Sequence, residues 1–111
     1  MRALLCSLLL LPACHSDWGD GMQAFEDARY PQAAASFRHY ESAARALPAR
    51  DFAEYALYRG LTHLALGDSV AAARWLGTAK SAADKSPSLF DDAERGRLLA
   101  AWRSMGHMAG E

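Results

Sequence analysis

The sequence predicts an all-α protein, two helical hairpins closed by one further helix, and three observations carry that expectation. The 111 residues contain no Ile, one Val (Val70) and two Thr (Thr62 and Thr78), so the β-branched side chains that favour strands are nearly absent. Ala and Leu abound instead, and both favour helices. Sliding the sequence against itself finds one offset, thirty-nine residues, that pairs Gly21 with Gly60, Gly67 with Gly106, Pro48 with Pro87 and Ser42-Ala43-Ala44 with Ser81-Ala82-Ala83. Alanine matches are cheap in so alanine-rich a chain, but two glycine pairs and a proline pair at one offset are not. A period of about 20 to 50 residues marks a stacked array, here a short α-solenoid.

The chain begins Met1-Arg2, followed by an apolar run from Ala3 to Leu11 broken only by Ser7, then Pro12-Ala13-Cys14. This is the layout of a secretory signal. Nine residues cannot span a bilayer core, which needs ~20 in a helix. An ordinary signal peptidase wants small residues at both −3 and −1, and Leu11 fails that for a cut after Ala13. Leu11-Pro12-Ala13-Cys14 instead resembles the bacterial lipobox. The resemblance implies that residues 1–13 are a lipoprotein signal peptide and that Cys14 carries a diacylglycerol and an acylated N-terminus. Acyl chains of the palmitate kind would then hold the protein on a membrane. Cys6 would leave with the leader and Cys14 would be thioether-linked, so no disulfide framework is expected. Residues 14–17 would form a short tether that keeps the array near the bilayer, with Trp18 at headgroup level. His15, rather than Asp, after the Cys favours the outer membrane, facing the periplasm.

The helices follow from local signals. The first hairpin is expected over 18–48, with Pro31 in the first turn of a helix running to about Leu47, where Pro48 closes it. The second is expected over 51–86. Asp51 can cap its first helix, Gly67 can end that helix in a left-handed conformation, and Asp68 or Ser69 opens the next. Ser88 with Asp91 reads as a capping box for a last helix over 88–106. Asp91, Asp92 and Glu94 lie early in that helix and Arg97 and Arg103 late, as the helix dipole favours. Five helices result. Phe90, Leu98, Leu99, Trp102 and Met105 on the last can cover the open end of the second hairpin, as a terminal repeat must. Trp75 and Trp102 are expected in the core.

The segment Ala53-Glu54-Tyr55-Ala56-Leu57-Tyr58-Arg59-Gly60-Leu61-Thr62-His63-Leu64-Ala65-Leu66-Gly67-Asp68, followed by Ala71-Ala72-Ala73-Arg74-Trp75-Leu76 and Ala79, resembles a tetratricopeptide repeat. The matching positions are Gly60 where two helices meet, the Gly67-Asp68 turn, close-packing Ala72, bulky Leu76 and small Ala79. A first copy matches through Gly21, Tyr30, Ala33 and Phe37, with Ala28-Arg29 at the turn and Tyr40 where a small residue is usual. A half copy runs from Leu89 to Gly106. The period is longer than the usual ~34, and Asp20 and Arg59 occupy a normally apolar position. The resemblance implies a concave groove lined by the first helices of successive hairpins. Trp18, Met22 and Phe25 would lie beside Tyr58 and Leu61, with Arg97 and Arg103 from the last helix. Aromatic residues and Arg are what binding hot spots use.

Little else in the sequence points to chemistry. The formal charge is −1, or −2 once Arg2 leaves with a leader, and the basic residues are scattered from Arg29 to Arg103, so nucleic acid is not an expected partner. His15, His39, His63 and His107 share no metal-ligand spacing, and His63 reads as a hydrogen-bonded, half-buried residue. Asp17-Trp18-Gly19-Asp20-Gly21 lacks the alternating acids and late Glu of a calcium loop. No phosphate loop occurs, and no Ser or Cys stands in a catalytic motif. Neither an enzyme, a metal, a cofactor nor a small-molecule substrate is expected. The expected role is a lipid-anchored scaffold for another envelope protein, as in assembly of a secretion, pilus or outer-membrane complex. The alternative is a structural lipoprotein that covers membrane or cell wall without a dedicated partner.

Overall fold

The computed structural model describes residues 18–106. The leader, Cys14 and the tether lie outside the described residues, as do 107–111. Among the described residues there are six helices and no strand: α1 (Gly19–Glu26), α2 (Tyr30–His39), α3 (Glu41–Ala44), α4 (Ala49–Ala65), α5 (Ser69–Lys85) and α6 (Asp92–Ser104). None is long and apolar enough to cross a membrane.

Helices next to one another in sequence pack together, and α4 also touches α1, α2, α3 and α6. It is the central element, and its sequence shows why. Ala53, Tyr55, Ala56, Leu57, Tyr58 and Gly60 are all buried, so apolar residues surround the helix on more than one face, as a helix covered on several sides requires. Ala33, Phe37, Ala72, Leu76 and Ala79 close the core from α2 and α5 with no exposed surface.

The thirty-nine-residue offset reappears in the geometry. Helices α1, α4 and α6 end at Glu26, Ala65 and Ser104, and α2 and α5 begin at Tyr30 and Ser69. A Cβ placed on Gly21 would lie 2.9 Å from the Phe37 ring, and one on Gly60 would lie 2.6 Å from Leu76 Cγ. Each pair joins the first helix of a copy to the second, and both members recur at the same offset. The turns repeat too. Ala28, Gly67 and Gly106 hold φ of 61°, 81° and 93°, so the Ala28-Arg29 turn adopts the left-handed conformation without a glycine.

Four local expectations are corrected. The helix expected from Pro31 to about Leu47 is two, because the backbone bends at Tyr40 (φ −97°, ψ 13°). At the equivalent place in the second copy stands fully buried Ala79, and a tyrosine cannot be buried so deeply at a close helix contact. The hydrogen-bond ladder still crosses the bend, with Tyr40 N–H donating to Ser36 O at 3.2 Å and Ala44 N–H to Tyr40 O at 2.8 Å. Asp51 does not cap α4; the helix starts two residues earlier behind Pro48, which has no side-chain cap, and Asp51 sits in the first turn. Ser88 does not cap α6 either. Asp91 does, its Oδ1 accepting from Glu94 N–H at 2.8 Å, because Leu89 and Phe90 turn inward before the helix begins and Phe90 is buried. Asp68 caps α5 through Ala71 N–H at 3.2 Å. Trp75 is buried, whereas Trp102 is half-buried, with its ring over Gly77.

Candidate functional site

Three of the residues expected in the groove converge. Phe25, at the end of α1, and Tyr58, midway along α4, meet edge to face with ring centroids 5.4 Å apart. The Arg97 guanidinium, from α6, lies 5.7 Å from the Phe25 centroid and 5.5 Å from that of Tyr58. Its Nη1 donates to the Tyr58 hydroxyl at 3.3 Å and to Glu26 Oε2 at 3.3 Å. Burial pushes the Tyr58 hydroxyl above its ordinary value, so it is a neutral phenol. A cation over aromatic faces is attracted by the ring quadrupoles, and here one arginine ties together three helices.

Two members of this cluster were missing from the sequence expectation. Glu26 follows Phe25 in α1, and Tyr30 packs on Phe25 at 5.8 Å from the start of α2. The sequence did hold a signal for the arginine, since Tyr58 and Arg97 are separated by the repeat period. No pattern announced Glu26, whose partner lies 71 residues away.

The other expected residues stand apart. Trp18 lies edge-on to Tyr55 at 6.0 Å, and Trp18, Met22 and Leu61 are half-buried against the core. Arg103 is exposed in the last turn of α6.

A second polar centre was not foreseen. Arg59, the charge at a normally apolar position, is 6% exposed and lies 4.4 Å from the Trp75 ring centroid. Its Nη1 donates to Glu41 Oε1 at 2.8 Å and to the Tyr55 hydroxyl at 3.0 Å, and its Nε donates to His63 Nε2 at 3.4 Å. Tyr55 in turn donates to the Phe37 carbonyl. Arg45 adds a 2.8 Å bond to Glu41, and the two arginines hold the Glu41 carboxyl down to about 2. Burial, and then the Arg59 charge, lower His63, which stays neutral and accepts from the arginine. With its basic nitrogen so engaged, His63 is a hydrogen-bonded core residue. Among the described residues no group of three or more His, Cys, Asp and Glu is placed to hold a metal ion.

A third cluster joins α4 to α6. Glu94 is buried, with Arg50 Nη2 4.0 Å from its Oε1, and burial, together with nearby Glu94, raises the Glu54 carboxyl to about 7.

The chain matches no family model, no curated protein and no solved structure.

Proposed function

We propose that this chain is a membrane-anchored, periplasm-facing adaptor of tetratricopeptide-like architecture that grips one segment of another envelope protein. The observation that carries the reading is the Phe25, Tyr58 and Arg97 cluster, in which α1, α4 and α6 each contribute one side chain and exposed Arg97 and half-buried Phe25 lie over buried Tyr58. Arg97 and Glu26 keep 41% and 49% of their side-chain surface exposed. The ion pair is therefore weak and exchangeable, and a carboxylate or carbonyl on a partner can take the place of Glu26.

The stacked-hairpin arrangement, with α6 as a half-repeat lid, is supported by the common offset of helix ends, left-handed turns and glycine contacts. Anchoring through Cys14 and placement at the outer membrane rest on the lipobox resemblance. Cys14→Ser should release the protein from membranes. Sedimentation of that variant with membranes in high salt would show that lipid is not the anchor.

The binding reading is tested by pull-down from detergent-solubilised envelope with wild type and Arg97→Glu. One stoichiometric partner, lost on reversing the Arg97 charge, is the expected result. No partner at any salt would overturn the reading and leave the structural lipoprotein in its place, and a partner indifferent to Arg97 would move the site off this face.

A further inference from the structure

We propose that Arg45 and Arg74, which crowd with buried Arg59 around Trp75, bind the phosphates of anionic lipid headgroups, so that the side of the array carrying α3 and α5 faces the bilayer. The guanidinium carbons of Arg45, Arg59 and Arg74 lie 5.6, 4.4 and 5.1 Å from one indole centroid. They come from the end of α3, from α4 and from α5. The quadrupole of the Trp75 ring attracts each of them, yet it has no net charge to cancel theirs. One carboxylate is bonded here, that of Glu41, which accepts from Arg45 and Arg59 at 2.8 Å each. Three positive charges against one negative leave an excess of two.

Glu41 shows what the cluster does to an oxyanion. Its two oxygens are gripped by separate guanidinium groups, and those bonds, from Arg45 and then Arg59, hold its carboxyl down to about 2. A guanidinium fork fits phosphate as it fits carboxylate. Arg59 is fully engaged, being 6% exposed and bonded to Glu41, Tyr55 and His63. Arg45 and Arg74 are not. Arg45 keeps 50% of its side-chain surface exposed and bonds Glu41 through Nη2. Arg74 is exposed, and among the described residues its guanidinium makes no hydrogen bond or ion pair, only the contact with Trp75. Of the other charges that act here, Arg38 adds a positive one, and Asp68, which opposes it at His63, caps α5.

The source of the phosphate follows from where the chain enters. Trp18 meets Tyr55 edge to face at 6.0 Å, and Tyr55 meets Trp75 at 5.7 Å, so a single ring separates Trp18 from the cluster. Only His15, Ser16 and Asp17 stand between Trp18 and Cys14, and four residue steps reach about 14 Å at most. This choice of source rests on the reading of Cys14 as the lipid anchor. An acylated Cys14 would keep the arginines near the headgroups, where each basic side chain adds attraction to an anionic surface. Tyr58 and Arg59 are neighbours on α4, about 100° apart around the helix. Tyr58 turns to Phe25 and Arg97, and Arg59 turns to Glu41 and Trp75. Lipid on the second of these sides leaves the first open to a protein partner.

Arginine modification by phenylglyoxal, read residue by residue by mass spectrometry on the protein as isolated from cells, tests it. The protein is mixed with vesicles of phosphatidylcholine, or of phosphatidylcholine with phosphatidylglycerol added. Arg45 and Arg74 should react about fivefold more slowly where phosphatidylglycerol is present, measured relative to Arg29, in the turn after α1, and Arg103, in the last turn of α6. Equal rates on both vesicles, or equal slowing of all four arginines, overturns the proposal. Equal slowing by inorganic phosphate on phosphatidylcholine alone gives the site to a free anion and overturns the lipid. Slowing by an acidic peptide and not by phosphatidylglycerol does the same in favour of a protein segment. Flotation with phosphatidylcholine vesicles, which have no net charge, reports the anchor separately. Failure to float overturns the anchor, and the rates with phosphatidylglycerol still decide the arginines.

Discussion

Ala28 shows how a single residue departs from its repeat and what that costs. Its φ of 61° matches the role of Gly67 and Gly106 at the ends of α4 and α6, but its Cβ crowds the following carbonyl, a strain of about 1–2 kcal/mol for a non-glycine residue. Ala28→Gly should therefore raise stability by about 0.5–1 kcal/mol after the added flexibility of the unfolded chain is subtracted. Gly67→Ala should lower it by about 1 kcal/mol, although a Cβ there would meet nothing within 4 Å. Urea titrations with unchanged slopes measure both. A loss in Ala28→Gly would mean that the turn is held by something other than its backbone conformation. The sequence showed Ala28-Arg29 only as a mismatch, because φ is set by the helices on either side of the turn.

At the level of elements, the two hairpin contacts differ in what a methyl group would strike. On Gly21 it would meet three atoms of the Phe37 ring at 2.9 to 3.1 Å, all side chain. On Gly60 it would meet Leu76 Cγ and Cδ2 at 2.6 and 2.8 Å and the Leu76 backbone nitrogen at 2.9 Å. A ring near a short, peripheral helix can shift, whereas the α4 and α5 backbones must separate. Gly60→Ala is thus expected to cost more than Gly21→Ala, about 3 kcal/mol or more against about 1, since overpacking penalties grow where relaxation is blocked. Equal losses in denaturant midpoint would show that α5 yields as easily as Phe37. Both glycines were legible as a pair at one offset. The bend at Tyr40 was not, because helix propensity and the Pro31 and Pro48 boundaries describe a continuous helix, and only the depth of the neighbouring interface makes a tyrosine too large there. The bend has a consequence: it starts α3 at Glu41 and brings that carboxylate to Arg59.

Across the whole molecule the ionisable groups that are hydrogen-bonded or partly buried set opposing pH limbs. Glu41, held down to about 2 by hydrogen bonds from Arg45 and Arg59, contributes stability that is complete above its ordinary 4.5 and is lost as pH falls toward 2. His63, lowered from 6.5 chiefly by burial, resists a proton that the unfolded chain accepts, so acidification below about 6.5 also erodes stability. Glu54 acts with the opposite sign between 4.5 and about 7. The urea midpoint should fall from about pH 4.5 to 2.5 in the wild type, and Glu41→Gln should flatten that limb while leaving the profile from about pH 6 to 8 unchanged. An equally steep acid limb in Glu41→Gln would assign the proton uptake to other carboxylates.

By itself, the sequence determined that this chain is helical, the turn at Gly67-Asp68 where α4 gives way to α5, and the thirty-nine-residue register that brings Tyr58 and Arg97 into equivalent places. Those properties depend on backbone propensity, caps and spacing, which act over one or two turns or repeat along the chain. Tertiary structure alone decided that Phe25 rather than Trp18 meets Tyr58 and Arg97, that Arg59 is buried on Trp75 and neutralised by Glu41, and that buried Glu94 stands 4.0 Å from Arg50. Each of these is a contact between side chains of different helices. Its energy depends on the distance across the interface and on how much water that interface excludes, and neither is written in the spacing of residues along one chain.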